Sequence, residues 1–513
     1  MLIPGMPSSS SDSFSVSPAT WSWANRPTTA FPPSTDDVAI LPIYGLGDLG
    51  LGLSLDVEEV LGASILTTAC QTTPPNPAVT VLPPLRFGLS PYQNAMGRVD
   101  PDTLHKTLKE IAQGVTRAGY KKLLFWSTSP WNSELVDTAS RDIHIEQKIQ
   151  TFIIELGGIG LSLHPASSDR AKTQALAAHL SDCAPDPTND GQPRDASFRP
   201  GNWTDLPTIE FDTDSSASEL FDKSAELLAE LISEVSQRAP VDAGEAVRIR
   251  PHSSSPPECY PTHHRDRYLP ALSRKKLLQL ERKADSIVVI PVAAIEQHGA
   301  HLPVGVDSMI AEAACHGLAE RLASDLWFCP PLYYGKSNEH EDFPGTISLS
   351  AQSLRQLIIA LVRNLHAHGF RQFALLNTHG GNSSVLTYTI RELQQELNVR
   401  AGMLRLKATE ELSAQEKTWG FHAGEWETSV MLAIAPERVE MKRAICHYPA
   451  SLKDPGKLRP ENAPVIFSWK TRDIAPEGVM GDATKGTAAK GERWLKAALD
   501  DVAIQIRELL QRP

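Results

Sequence analysis

The sequence predicts an α/β protein built as two tandem three-layer α/β/α domains with mostly parallel sheets. Three observations lead there. At 513 residues the chain is too long for one ordinary core, and two units of about 250 residues are a natural division. A faint internal repeat runs through it. VAILPIYGLGDLG from Val38 resembles IVVIPVAAIEQHG from Ile287, PPLRFGLS from Pro83 resembles PPLYYGKS from Pro330, and AGYKKLLFWSTSPWN from Ala118 resembles HGFRQFALLNTHGGN from His368. The separations are 249, 247 and 250 residues, so three ordered matches share nearly one offset. Finally, the second half alternates strand, helix, glycine turn and strand, the order of a parallel sheet covered by helices.

Taken in order, residues 1–14 read as a disordered Ser/Pro lead without the features of a signal peptide. Residues 15–240 form the first repeat. Its stretch 166–210, rich in Ser, Asp, Pro and Asn, lacks sustained periodicity and reads as a surface insertion. A helix near Glu219 to Val235 answers one near Gly491 to Leu510. Residues 241–264 read as a linker, because Pro and small polar residues build no packed face. Residues 265–513 form the second repeat. There Ser286–Val292 is an apolar, β-branched run suited to a strand buried on both faces. Leu354, Leu357, Ile358, Leu361, Val362 and Leu365 recur at helical spacing, Gly369 supplies the stop, and Phe373–Leu376 makes the next buried strand.

Composition excludes several classes. Hydrophobic content of 41% and charged content of 21% fit globular domains. A net charge of −12 speaks against non-specific nucleic-acid binding, and no apolar run reaches the roughly 18 residues of a membrane span. Six scattered cysteines without a CxxC pair build no disulfide framework, so the expectation is a cytoplasmic protein with reduced thiols.

Three polar clusters carry the chemistry, and each lies at a predicted strand or helix end, where ligands gather in open α/β sheets. The first runs from Glu296 through His298 and His301 to Asp307. Its mixed carboxylate and imidazole donors suit Zn, Mn or Fe(II), and a shared Asp can bridge two ions. The second is Asn377-Thr378-His379-Gly380-Gly381-Asn382, whose glycines allow close backbone approach. The third, His422-Ala423-Gly424-Glu425-Trp426-Glu427-Thr428-Ser429, supplies one more imidazole and further carboxylates. Taken singly, each has a bland explanation: a strand-end Glu or His is usually capped or solvated, and Glu425 and Glu427 also favour a helix N-terminus. Three such clusters together point to a metal site.

These residues resemble the creatininase (creatinine amidohydrolase) family. ExHxxHLPxxxD is Glu296–Asp307, EHxxFPGTISL is Glu339–Leu349, NxHGGN is Asn377–Asn382 and HAGxxET is His422–Thr428, with GDATKGTAAKGE following from Gly481. The resemblance implies the family's three-layer fold, a centre of two divalent ions (Zn, Mn or Fe(II)) and hydrolysis of a C–N amide bond by a metal-activated water. Carried over by position, Glu296, His298, Asp307 and His379 fall on family metal ligands, with Asp307 as the bridge. Creatinine hydrolases proper resemble one another in a His-Tyr-Glu segment whose Glu binds the second metal. This chain has His379-Gly380-Gly381 instead, which makes Glu427 the candidate fifth ligand and speaks against creatinine itself. His422 falls on the family's proton-transfer histidine, its imidazole being suited to protonate the leaving nitrogen. Ser337, Glu339 and His340 are expected to shape the substrate pocket, His340 also as support for a ligand. Glu425 is expected to line it loosely, with Trp419 and Trp426 as walls for a small planar substrate.

The first half keeps the scaffold without the ligands. At offset 249, Glu296 falls on Gly47, His298 on Leu49 and Asp307 on Glu58. At offset 250, His379 falls on Ser129, while Asn382 keeps Asn132. A leucine cannot replace an imidazole on a divalent ion, so this half reads as a catalytically dead copy. It would stand in for one subunit of a dimer, giving a homo-oligomer of fused pseudo-dimers.

The leading expectation is a metal-dependent amidohydrolase of a small-molecule amide: a lactam, a formamide or a similar group. The alternatives are a peptidase maturing a modified precursor peptide, as with mycofactocin-associated family members, and a non-catalytic scaffold of two such folds.

Overall fold

A computed structural model of the chain describes residues 23–31, 33, 37–46, 53–72, 79–90, 95–164, 167, 169–180, 215–237, 264–322, 326–406, 411–448, 458–459, 465–466 and 468–511. The expected lead, the counterpart positions Gly47 and Leu49, and all of the expected linker except His264 lie outside the described residues.

In the first half, β1 (Val38–Ile43), α1 (Val57–Thr72), β2 (Val79–Val81), α2 (Pro101–Arg117), β3 (Lys122–Ser127), α3 (Ser133–Gln147) and β4 (Gln150–Glu155) precede α4 (Arg170–Leu180) and α5 (Ser215–Gln237). The second half opens with α6 (Arg274–Gln279). It repeats the order as β5 (Ile287–Val292), α7 (Val306–Arg321), β6 (Leu326–Phe328), α8 (Ala351–Ala367), β7 (Gln372–Asn377), α9 (Ser383–Leu397) and β8 (Arg400–Arg405). Then come α10 (Ala414–Trp419), α11 (Glu425–Ile434), α12 (Thr471–Ile474) and α13 (Ala488–Gln511).

Among the described residues each half has a four-stranded, wholly parallel sheet, ordered β2-β1-β3-β4 and β6-β5-β7-β8. The registers obey the repeat, with Val38 opposite Lys122 and Ile287 opposite Gln372. β1 and β5 are buried at every position, as strands covered on both faces must be. Each nevertheless contains a proline. Pro42 and Pro291 sit beyond the ends of the three-residue neighbours β2 and β6, where a missing N–H breaks no ladder bond. α8 starts at Ser350, whose side chain accepts from Ser353 N, and its buried stripe is the one the spacing predicts. The stretch expected to be irregular contains α4, which buries Leu176, Ala177 and Ala178. Its apolar positions are mostly alanine, too weak a pattern to read as a buried helix face.

The layers explain why the halves stay together. Helices α2, α3, α8 and α9 and the facing sides of both sheets share one continuous core. The outer face of the first sheet is covered by α1, α4 and α5, and that of the second by α7, α11 and α13. Contacts across the middle are reciprocal. Helix α2 packs on its repeat counterpart α8, and Arg86 lies 5.2 Å from the ring centroid of Tyr333, its own equivalent at offset 247. Leu55 N donates to Leu272 O and Asp56 N to Pro270 O, at 3.1 and 3.0 Å. In mirror image, Val304 N donates to Arg26 O and Gly305 N to Ala24 O, both at 2.9 Å. The two halves therefore meet as the subunits of an isologous dimer do. No helix among the described residues is long and apolar enough to cross a membrane.

Candidate metal centre

The site lies beyond the carboxyl ends of β5 and β7. Glu296 and His298 sit on the loop after β5, Asp307 in the first turn of α7, His379 two residues past β7, and Glu427 in the first turn of α11. His298 is fully buried, Glu296 and Asp307 nearly so, and their side chains converge. His298 Nε2 is 3.7 Å from Asp307 Oδ1 and 3.8 Å from both Glu296 Oε1 and Glu427 Oε2. His379 Nδ1 is 3.1 Å from Glu296 Oε1 and 3.6 Å from Asp307 Oδ2.

Each imidazole is oriented by the bond its other nitrogen makes. His298 Nδ1 donates to Glu296 O at 3.1 Å, so Nε2 faces the carboxylates. His379 Nε2 donates to Lys336 O at 3.0 Å, so Nδ1 faces Glu296. His422 Nε2 donates to Gln297 O at 2.7 Å, and its Nδ1 lies 3.6 Å from Glu296 Oε1. This is the outer-shell pattern that fixes ligand histidines. Ala423 adopts φ +54°, and its N–H donates to Glu427 Oε2 at 2.5 Å, holding that carboxylate near His298. A non-glycine residue in this region is strained, and such strain gathers at functional sites.

Electrostatics show how strongly these groups act on one another. Burial works to raise the Glu296 carboxyl, but His379, His340 and His422 outweigh it and hold the group well below the usual range. Burial likewise disfavours charged imidazoles, yet Asp307 lifts His298 to about 9 and Glu296 lifts His379 to about 10. Asp307 is raised by burial and by Glu296, and burial brings Glu427 to about 7. The carboxylates and imidazoles of the cluster therefore shift one another strongly, each carboxylate favouring positive charge on its neighbours. Glu296 Oε2, His298 Nε2 and Asp307 Oδ2 are buried without a hydrogen-bond partner. Such atoms are costly unless something binds them. The gaps of 3.7 to 3.8 Å around His298 Nε2 are too long for hydrogen bonds and suit a divalent cation, whose bonds to such N and O atoms are about 2.0–2.2 Å. The residues fit the metal site that the sequence implies.

His422 is set apart. It stacks between His298 and His340, with ring centroids 4.4 and 4.2 Å away, and burial followed by these neighbours pushes it well below the usual imidazole range. It is held neutral beside the carboxylates. His340 also reaches the cluster, its Nε2 lying 3.7 Å from Glu296 Oε2, and burial takes it to about 4. Ser337 Oγ lies 3.1 Å from His379 Nε2, and Glu339 Oε1 lies 3.7 Å from the same atom. Glu339 also fills the space at Gly381, where an added Cβ would come within 2.4 Å of Oε1. Trp426 lines a cavity of ≈ 180 Å³ with His422, Glu427, Asn377, Phe421 and Leu412. Two expected pocket residues are not brought in. Glu425 turns to Lys490 Nζ at 2.7 Å, and Trp419 is buried at the end of α10, outside the cavity lining.

Sequence reasoning missed two organising residues. The Gln297 side-chain amide lies 2.9 Å from both His340 Nδ1 and His422 Nε2, with its Oε1 accepting from Gly299 N. Its place inside the first motif was the available signal. Glu416 accepts from Glu425 N at 2.8 Å, Asp482 N at 3.0 Å and Tyr448 Oη at 2.7 Å, and so fixes the loop bearing His422. No local pattern marks it.

Comparisons with known proteins find similar sequences for both halves. The profile of a family described as creatininase, creatinine amidohydrolase, matches residues 25–191 and 271–506, one segment in each half. A mycofactocin precursor peptide peptidase of Mycobacterium ulcerans (strain Agy99) is 35% identical over 227 residues, 43% of this chain and 84% of that protein. A creatinine amidohydrolase of Pseudomonas putida is 31% identical over 245 residues, 44% of this chain and 90% of that protein. A solved structure described as creatininase with Mn is 27% identical and covers 48% of this chain and 99% of its own, with a TM-score of 0.41.

Proposed function

The chain belongs to the creatininase family, a family of hydrolases, and from that premise we propose that its second half hydrolyses a C–N amide bond with two divalent metal ions. One observation carries the reading: Glu296, His298 and Asp307 converge in a buried pocket, each with a ligand atom that nothing in the protein satisfies. Glu296, His298, Asp307, His379 and Glu427 would hold the ions. Bound there, Zn, Mn or Fe(II) supplies a water acidic enough to act as a nucleophile near neutral pH and polarises the amide carbonyl.

The protein's own groups do the rest. His422, neutral and with Nδ1 toward the cluster, takes the proton that the attacking water gives up and passes it to the leaving nitrogen. Glu296, 3.6 Å away, stabilises the imidazolium in between. Gln297 O fixes the tautomer that makes this possible.

The substrate of this reading is a small amide such as a lactam or formamide. A second reading, peptide cleavage, has specific support: apolar walls at Phe421, Leu412, Leu406 and Trp426 beside His422 and Glu427, together with the likeness to a precursor peptide peptidase. The test is the metal content of the purified chain, followed by exhaustive chelation and assays on lactams, formamides and short peptides. About two ions per chain, with activity lost on chelation and regained with Zn or Mn, is the expected result. Full activity after chelation overturns the mechanism, and failure to take up any ion returns the chain to a scaffold role.

A further inference from the structure

We infer that the segment Trp23–Phe31 of the first half is a positioning element for the metal centre of the second. The inference rests on the metal-centre reading above. The segment leaves its own sheet at Trp23, whose N–H donates to Val81 O, and crosses onto the other half. There it runs antiparallel to the turn before α7, pairing Pro27 with Pro303 and accepting from Val304 N and Gly305 N through Arg26 O and Ala24 O. Gly305 is the N-cap of α7, two residues before Asp307. A Cβ on Gly305 would lie 2.7 Å from Ala24 Cβ, so the close approach is built into the sequence. Val304 O in turn accepts from Glu296 N at 2.9 Å.

The same segment grips a second loop. Trp23, fully buried, donates from Nε1 to Gly345 O at 3.0 Å, and Thr28 Oγ1 donates to Pro344 O at 2.7 Å. Phe31 sits where a side chain at Gly345 would be, 2.5 Å from its built Cβ. This Phe343–Thr346 loop flanks the ligand directly: Ile347 N donates to Ile295 O and Gln297 N donates to Thr346 Oγ1. Glu296, between residues 295 and 297, is thus held from two sides by loops that the first half clamps. The mirror-image strap, 268–273 on 54–56, ends two residues before Glu58, whose carboxylate accepts from Gly45 N. Outer partners of metal ligands change affinity without touching the ion, by fixing ligand geometry beforehand.

The test uses the full chain, stripped of metal, with Trp23→Phe, Thr28→Val and Thr28→Ser. Titration calorimetry with Zn and with Mn measures ion affinity, and a thermal melt of each stripped protein reports the fold. Thr28→Val and Trp23→Phe are expected to weaken binding about tenfold with melting nearly unchanged, and Thr28→Ser to bind as wild type. Trp23→Phe opens space at a fully buried position, so Thr28→Val, isosteric and half-buried, decides the matter if Trp23→Phe does not fold. Wild-type affinity in Thr28→Val overturns the positioning role while leaving the metal centre intact. A wild-type chain that binds neither ion overturns the centre and the strap's role together.

Discussion

Two carboxylates at equivalent positions, Glu58 and Asp307, show what separates the halves. Both sit in the first turn of the helix after the leading strand, and both are buried. Asp307 faces His298 and His379 across gaps of 3.7 and 3.6 Å. Glu58 instead accepts from Gly45 N at 2.7 Å, and burial lifts it to about 7. The bonds that make the frame persist in both halves: Asn132 Oδ1 accepts from Leu89 N and Asn382 Oδ1 from Lys336 N, each at 2.8 Å. The lesson is that scaffold and chemistry separate cleanly. The first half keeps the sheet, the helices and the interface with Ser129 where the second has His379.

Breaking this contrast starts with the largest effect. His298→Ala is expected to abolish ion uptake and reduce amide hydrolysis on the order of a thousandfold, while Glu58→Gln leaves ion content unchanged. Metal analysis of both variants checks this, and a lower ion count in Glu58→Gln would mean that the first half is not silent. Next comes the paired frame residue. Asn382 fixes Lys336, whose carbonyl orients His379, so Asn382→Ala is expected to lower turnover roughly ten- to a hundredfold. Asn132→Ala has no ligand behind it and is expected to cost only stability, about 1 to 3 kcal/mol by urea unfolding.

The subtlest difference lies in pH dependence. The folded-state pKa of Glu58 is raised to about 7 from 4.5, so the native state holds its proton more tightly than the unfolded chain. Its contribution is therefore fully present below about 4.5 and is lost as pH rises through about 7. Glu58→Gln removes that loss, and unfolding at pH 8 is expected to show a gain of about 3 kcal/mol that shrinks toward pH 5.

Much of this architecture was legible in the sequence. The strands around Ile290 and Leu375, the helix stripe from Leu354 to Leu365, and the repeat offset all follow from local periodicity, which burial on two faces enforces. The candidate ligands were legible as clusters because each lies at a strand or helix end. What escaped depends on distant partners. Glu425 and Glu427 look alike in sequence, yet two positions along a helix face opposite ways, and only the fold reveals Lys490 beside the first and His298 beside the second. Glu416 binds backbone groups up to 66 residues away, so no window around it shows its role. The shared core was hidden for the same reason: each half reads as a complete amphipathic set, and nothing local says that their inner helices cover one another.

The exchanged straps also set a timetable for synthesis. Trp23 is made first, but its partner Gly345 follows 322 residues later. At translation rates of about 5–20 residues per second, that is roughly 15 to 65 s during which Trp23 has no Gly345 carbonyl to bind and α2, once made, has no α8 to pack on. For that interval a tryptophan-bearing strap and the apolar face of α2 stand open, the kind of surface that chaperones bind and aggregates recruit. Fusing two copies in one chain guarantees that the missing partner arrives at the same ribosome, at high local concentration, every time.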